Sequence, residues 1–570
     1  MSNCSYLFDL FPVEIIHMIF DYLSICDILH GFFNLSSYID SIIFNYNFTK
    51  INFRSILKYD FDLICENINP KQMISLILSD GIDTPNQSDL FLSLFKVEEF
   101  YLSLHCLVLE DINDESMEII VNHLNQFHNL SSLTIINNNL SPLSILKPLF
   151  CRLIRLNISC EWFFHNLTLM KELKHLKLFN QCTLNQFENI IHHTPNLISL
   201  NICLERDHIE KIQIINCNLT RLVLNMSSSQ MNMNYMKDFL SCFPCLIYFE
   251  IECRSDLDLC DGYEWERFLL EKLFYLKIFY FKFQLRSTVI LNTIAIQNIL
   301  QSYSTSYWLN EKQWFIAIEW NQRLIYSIPR FSCESADSTF RPPFHCTISD
   351  NSIFYNHINA LALWEETRNR FVNVKELWLI DDPLRINLEN IIDLNQIQRL
   401  IFVSSKSELS IETLINLINK MTNLNFIQFN NIPLSFYEYK QNIQIQQIHS
   451  IEILKEFKSF SLIETLNKIF PQLQRLQIKI QTYEDIEKIL KIFSKSLSIV
   501  RFYCDTSNIL INKKFIQNIL NHSNFTFAID NNSIRLWIGL NKVSNQLYLK
   551  EKKTTGCFSW SYLRKSILKR

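Results

Sequence analysis

Cys242-Phe-Pro-Cys245 is the one CxxC of the chain, and with Cys253 and Cys260 it makes the spacing C-x2-C-x7-C-x6-C. Thiolates so spaced bind zinc, or as a pair exchange disulfides. The surrounding pattern argues against both. Cys245 stands just before a short apolar strand pattern that opens at Leu246, and Cys253 just after it. At 3.3 Å per residue the strand holds the two about 25 Å apart, too far for one tetrahedral ion. His192-His193 ends a helix-period stretch without a paired acidic or cysteine motif and reads as two polar side chains facing water. HExxH and HxE…PCxxC are absent. The chain has five glycines, Gly31, Gly81, Gly262, Gly539 and Gly556, where average usage would give about 40. No two lie close enough to cradle a phosphate, so GxGxxG, the Walker loop and the nucleophile elbow are missing. This argues against the common nucleotide-binding and serine-hydrolase folds, though not against an enzyme of unfamiliar type. No catalytic residue, metal or cofactor is expected.

Binding, not bond chemistry, is then the function to look for, and the elements must supply a surface. The 570 residues are 48% apolar and 13% aromatic, with 45 Phe, ample for a large core. Lys and Arg number 53 against 57 Asp and Glu, a net charge of −4, so no global field calls for nucleic acid or an anionic membrane. The 17 cysteines are scattered and no basic, apolar leader opens the sequence. No stretch of about 20 residues is free of both charge and strong polarity, so no transmembrane helix is expected. The expectation is a reduced chain in the cytoplasm or nucleus.

One pattern recurs: apolar, two residues, apolar, one residue, apolar. It appears as Leu104/Leu107/Leu109, Leu130/Leu133/Ile135, Leu153/Leu156/Ile158, Leu173/Leu176/Leu178, Leu197/Leu200/Ile202, Leu219/Leu222/Leu224, Leu246/Phe249/Ile251 and Leu273/Leu276/Ile278. A second run has Val374/Leu377/Leu379, Ile397/Leu400/Phe402, Leu424/Ile427/Phe429, Ile448/Ile451/Ile453, Leu473/Leu476/Ile478 and Leu497/Val500/Phe502. Steps within the runs are 20 to 27 residues. Weaker copies, Phe48/Ile51/Phe53 and Met73/Leu76/Leu78, precede them. Helix-period stretches lie between, as from Thr183, a natural N-cap, through Leu184, Phe187, Ile190 and Ile191. Pro195, Pro244 and Pro471 each stop such a helix before the next strand. Each unit is one strand and one helix, and neither buries its apolar face alone, so the units must stack.

Residues 279–365 break the period. Tyr307 to Ile328 reads as two strands turning near Asn321-Gln322. This stretch is either a hairpin extending the sheet or a ligand-binding insertion. Ser332 to Pro343 reads as a loop. Phe525–Asp530 and Ile534–Leu540 read as a closing hairpin around Asn531-Asn532, capping the sheet edge. The basic tail Arg564-Lys565…Lys569-Arg570 is a solvated end, a nuclear signal or a membrane-surface patch.

Residues 6–46 differ from the rest. Pro12 suits a first helical position, and apolar residues follow at Val13, Ile15, Ile16, Ile19, Phe20 and Leu23. Ser24-Ile-Cys breaks that helix. Asp27 can cap a second, Ile28 to Leu35, and a third runs from Ser37 to Phe44. So small a trio has apolar surface to spare for a partner.

On these residues the chain resembles two families at once. The LxxLxL strand and 20–29-residue period are similar to the leucine-rich repeat over residues 48–510. Asn138 holds the family's usual Asn position, while Cys160, Cys182 and Cys253 are one residue out of register. Phe11-Pro12-Val13-Glu14-Ile15-Ile16, Ile19-Phe20-Asp21-Tyr22-Leu23 and Asp27-Ile28 resemble an F-box, with Phe11 in place of its usual Leu. The resemblance implies an α/β chain: a short N-terminal three-helix F-box (1–47) followed by a curved leucine-rich-repeat solenoid. The solenoid divides into a first block (48–278), an irregular insertion (279–365), a second block (366–510) and a C-terminal cap with basic tail (511–570).

The function implied is that of a non-catalytic substrate adaptor of a ubiquitin ligase. Its F-box would dock on the Skp-type linker of a cullin–RING assembly through Phe11, Pro12, Ile15, Ile16, Ile19, Phe20 and Leu23. Its repeats would hold a protein substrate near a ubiquitin-charged conjugating enzyme. In such repeats the residues flanking the second apolar position face the concave side, which yields Arg155, Lys177, Arg221, Tyr248, Lys277, Trp378, Arg399, Phe426 and Arg475 as substrate-binding candidates. Over all such positions seven Lys and Arg (Arg155, Lys177, Arg221, Lys277, Arg399, Arg475, Arg501) stand against three Glu (Glu250, Glu376, Glu452), a mildly basic face that suits an acidic or phosphorylated segment, the alternative being a solvated polar face. The rival function is a repeat scaffold that binds a partner without ubiquitin ligation, its N-terminal helices serving as a cap. An enzyme hidden in residues 279–365 is the third class.

Overall fold

The computed structural model describes residues 8–46, 49–136, 147–159, 163, 167–205, 218–286, 291–319, 323–343, 345–380, 386–403, 410–436, 443–455, 460–493, 496–504, 525–530 and 532–539. Phe48, Asn138, Cys160, the Asn321-Gln322 turn, Asn531 and the basic tail lie outside them. The chain is a mixed α/β protein with large parallel sheets. It forms two compact units, residues 1–130 with 398–570, and residues 131–397. The strand order closes into no barrel among the described residues.

In the first unit three short helices, α1 (Val13–Asp21), α2 (Ile25–Phe32) and α3 (Ser37–Asn45), lead into β1 (Thr49–Asn52), α4 (Lys58–Asn67), β2 (Met73–Ser79) and β3 (Cys106–Glu110). β1, β2 and β3 pair in parallel. The strands Arg399–Phe402, Phe426–Phe429, Ser450–Ile453, Arg475–Lys479 and Ile499–Tyr503 form a second parallel run. The caps differ in detail from the sequence expectation. Pro12 is the N-cap of α1, not its first residue. Ser24, not Asp27, caps α2: its hydroxyl accepts the Asp27 N–H while the Asp27 carboxylate accepts the Ser24 N–H.

In the second unit Ser132–Ile136, Arg155–Ile158, His175–Thr183, Ser199–Glu205, Arg221–Met231, Tyr248–Ser255 and Ile278–Leu285 run parallel in chain order. The hairpin Phe315–Glu319/Leu324–Ile328 then pairs antiparallel with the last of them, extending the sheet. It begins later than the sequence suggests, because Tyr307–Lys312 is a π-helical turn. The expected loop from Ser332 contains a strand, Ser335–Asp337, parallel to Ala360–Leu363, which pairs with Glu376–Leu379. Part of 279–365 therefore belongs to the parallel runs.

The register shows why the spacing mattered. Leu133, Leu156, Leu176, Leu200, Leu222 and Phe249 sit side by side across successive strands, and all are buried. Leu400, Ile427, Ile451, Leu476 and Val500 do the same in the other unit. Thr183 caps the helix Leu184–His193 by a reciprocal pair of bonds with Gln186. One repeat was misread: Phe249 faces Phe279, so the working triplet is Leu276/Phe279/Phe281 and not Leu273/Leu276/Ile278. The Phe249 and Phe279 rings stack at 5.6 Å, and Trp265, Tyr303 and Trp308 are fully buried in the same layer. Gly262 belongs here because a Cβ would come within 2.6 Å of the Ser302 carbonyl oxygen.

Chain start and chain end meet inside the first unit. The C-terminal hairpin Phe525–Asp530/Ser533–Ile538 pairs antiparallel with Ile499–Tyr503, covering that edge as expected. From it Trp537 reaches α4: its ring lies 4.9 Å from Phe61, under the Lys58 ammonium at 5.3 Å, and its indole N–H bonds the Ile56 carbonyl at 2.9 Å. The Lys58 amide donates to Ser498 Oγ at 2.8 Å. Trp537→Ala should lower the unfolding free energy by about 3–5 kcal/mol. Hydrogen exchange should accelerate in α4 and in the hairpin together; protection unchanged in α4 would show that the junction is not a structural tie.

Candidate binding surfaces

Alternation along each strand sends one residue set to the core and the next to the open face. In the second unit Arg155, His175, Ser199, Arg221 and Tyr248 share one row, and Asn157, Lys177, Asn201, Val223 and Glu250 share the next. The sequence candidates Arg155, Lys177, Arg221 and Tyr248 thus stand on one face of one sheet. Lys277 does not: it precedes the strand Ile278–Leu285, its N–H bonding the Ile247 carbonyl at 2.9 Å, and the corrected register puts Tyr280 opposite Glu250. Charge is crowded where cations gather. Partial burial and the neighbouring Arg155 and Lys174 lower the pKa of His175.

Two of these candidates belong to an interlocked cluster whose tie to Arg330 sequence reasoning missed. The Arg221 guanidinium stacks 3.6 Å from the Tyr248 ring centre, and the Tyr248 hydroxyl donates to Glu250. Arg330 clamps the same carboxylate with two N–H donors, at 2.7 and 3.1 Å. Burial raises the Tyr248 hydroxyl to about 12, helped by its bond to Glu250. Burial opposes ionisation of Glu250 as well, yet the bonds from Arg330 and Tyr248 and the charges of Arg330 and Arg221 outweigh it and hold the carboxyl below its usual range. Trp378 is exposed on the strand Glu376–Leu379, its indole N–H on Glu376 Oε1 at 2.7 Å.

In the first unit Arg399 stacks on Phe426 at 4.3 Å, the two facing each other across adjacent strands. Arg475 is engaged within the fold, bonding Asp83 at 2.7 Å and the Ser55 carbonyl at 2.6 Å, so it ties the array to its own beginning.

The seven N-terminal candidates fall into three groups, buried, half-buried and exposed. Ile16 and Phe20 are 0% and 1% exposed and form the core of the trio. Ile19 and Leu23 are half-buried, and Pro12 is exposed. Phe11, Ile15, Met18 and Tyr22 make an open stripe at helical spacing, 43%, 41%, 58% and 56% exposed. α2 and α3 lie against the following segment: His30 Nε2 is 2.5 Å from Asp60 Oδ1 on α4, and Gln72 Nε2 donates to the Phe44 carbonyl at 2.5 Å.

Among the described residues one trio of ligand-type atoms comes together, Cys26, His30 and Asp60, within 4.8 Å. The close His30–Asp60 contact joins α2 to α4 directly. The C-x2-C-x7-C-x6-C cysteines do not assemble. Cys253 and Cys260 are buried, and burial pushes the Cys260 thiol up to about 12 and the Cys253 thiol well above its usual value. Such thiols are poor nucleophiles and poor ligands. His193 Nδ1 simply bonds the Asn189 carbonyl of its own helix, at 2.7 Å. No helix of the described residues is long and apolar enough to cross a membrane. Compared with known proteins, the chain matches no family model and no curated protein.

Glu250 supplies a stability test with a definite sign. A carboxyl whose folded pKa is depressed contributes stability above the unfolded value, near pH 4.3, and loses it as the pH falls through the folded value. Arg330→Ala should cost about 1–3 kcal/mol at neutral pH, because the buried carboxylate loses its main partner. It should also flatten the acid-side decline seen in wild type. Urea unfolding from neutral pH into the acid range measures both; parallel wild-type and variant profiles would exclude the coupling.

Proposed function

We propose that this chain is a non-catalytic substrate adaptor of a cullin–RING ubiquitin ligase, an F-box followed by a leucine-rich-repeat solenoid. The observation that carries this reading is the open apolar stripe Phe11/Ile15/Met18/Tyr22 on a helical trio fastened through α2 and α3 to the segment that follows it. It lies within the segment whose order of residues resembles the F-box. A stripe of large apolar side chains on a small helical unit is a surface that usually meets a partner. Its partner is the Skp-type linker. Phe11, Pro12, Ile15 and the half-buried Ile19 and Leu23 contact it, and Ile16 and Phe20 hold the helices in place. The parallel strand–helix units with 20–27-residue steps support the solenoid, whose open face presents a protein substrate to a conjugating enzyme brought by other subunits. Catalysis is by effective concentration.

The scaffold reading has its own support. α2 and α3 are fastened to α4 and to the turn before β2, as a terminal cap would be. Linker binding separates the two. The full chain should bind a purified Skp-type linker, and Ile15→Asp and Met18→Asp should each weaken binding by roughly tenfold or more with circular dichroism unchanged. Ile16→Asp should instead unfold the trio. A folded wild-type chain that does not bind the linker would leave the scaffold as the better account.

A further inference from the structure

A hollow of about 550 Å³ opens on the sheet face of the unit formed by residues 131–397, between the strands Ser335–Asp337 and Glu376–Leu379. Its origin is the side-chain alternation of three parallel strands. Leu361, Leu363, Leu377 and Leu379 are buried in the core. On the opposite face Ser335, Ala360 and Glu376 form one row, and Asp337, Ala362 and Trp378 the next. The middle strand therefore offers only a methyl group in each row, where other strands of the unit place pairs such as His175 and Lys177 or Tyr248 and Glu250. The outer strands stand about 9.6 Å apart, two strand spacings, and their side chains rise as walls from an alanine floor.

The walls are held in place by their own contacts and are chemically distinct. Trp378 is one, its indole oriented by the bond to Glu376 Oε1. Phe340 stands on the other side, packed against the Ala317/Tyr326/Ile328/Phe354 cluster with its ring 5.8 Å from Tyr355 and 6.3 Å from Phe371. Beside it, Asp337 receives the Thr339 N–H and hydroxyl at 2.8 and 2.7 Å, both on Oδ1. Its Oδ2 accepts no hydrogen bond among the described residues.

We propose that this hollow receives the guanidinium of an arginine presented by a partner protein segment. A planar cation stacks on an indole face while its N–H edge donates to the carboxylate oxygen that Thr339 leaves open, which is the combination these walls supply. A lysine ammonium is a compact, strongly hydrated point charge and gains less from a flat wall. An apolar side chain would desolvate the Asp337 carboxylate without replacing its water. The inference goes beyond the adaptor reading and does not depend on it, since the test contains no linker.

The test is calorimetric titration of the full chain with a capped Gly-Arg-Gly peptide, with the same peptide carrying citrulline or lysine, and with free arginine. Citrulline keeps the shape and removes the charge. The arginine peptide should bind at least roughly tenfold more tightly than the citrulline peptide, with lysine between. Asp337→Asn and Trp378→Leu should each weaken it by about tenfold, and Ala360→Leu, which fills the floor, should abolish it. Circular dichroism reports folding; if Ala360→Leu fails to fold, Asp337→Asn decides. Equal binding of the arginine and citrulline peptides, no arginine binding at millimolar concentration, or binding unchanged in Asp337→Asn overturns the proposal. Binding of free arginine but not of the peptide overturns its assignment to a protein segment.

Discussion

A strand–helix unit of some 20–27 residues cannot bury its own apolar face, and everything else in this protein follows from that constraint. Each strand sets two large apolar residues beside the same two of its neighbours, as Leu200 and Ile202 beside Leu222 and Leu224. A slip of one residue would turn both toward solvent, so burial fixes the register. Fixed register in turn places the alternate residues of neighbouring strands side by side, about 4.8 Å apart, in rows across the open face. No catalytic geometry is needed there: a row is already a surface on which cations, rings and gaps occur at set spacings.

An array of parallel strands has two raw edges, and unpaired edges invite further pairing. This chain answers with hairpins. Leu324–Ile328 covers the strand Ile278–Leu285, and Ser533–Ile538 covers Ile499–Tyr503. The second hairpin has another task, because its Trp537 is the large buried ring that fills the space beside Phe61. The bonds of Arg475 to Asp83 and Ser55, and of Thr526 to the Pro85 carbonyl at 2.6 Å, repeat the tie at other points. A basic residue on the open face is thus not free for a ligand merely because the repeat pattern puts it there.

Much of this was legible in the sequence, because period and punctuation are local signals. All but one of the strands of both runs, the Thr183 cap, the proline stops and the C-terminal hairpin fall where spacing put them. The failures have physical causes. Residues 273, 276, 278, 279, 281 and 283 are all apolar, so two frames three residues apart fit the same pattern, and only pairing with Phe249 chooses between them. Ile358/Leu361/Leu363 went unseen because its step to Val374 is only 16 residues. The Glu250–Arg330 clamp spans 80 residues and has no local signature. In α1 both the core face and the open face are apolar, so composition could not separate Ile16 from Ile15; only the surrounding helices do.

For an adaptor, the way α1 is mounted matters as much as its stripe. α2 is joined to α4 by His30 and Asp60, α3 to the turn before β2 by Gln72, and α4 to the far end of the chain by Ser498 and Trp537. The helices that would meet a linker are therefore fixed to the parallel strands of their own unit, with only residues 46–48 between α3 and β1. Effective concentration depends on such stiffness, since a flexible tether spreads a bound partner over many positions of which few are productive. The same mounting serves a scaffold less obviously: a terminal cap has to cover apolar surface, whereas this one leaves a stripe of four large side chains in water. That surplus, on a rigid support, favours the adaptor over the cap.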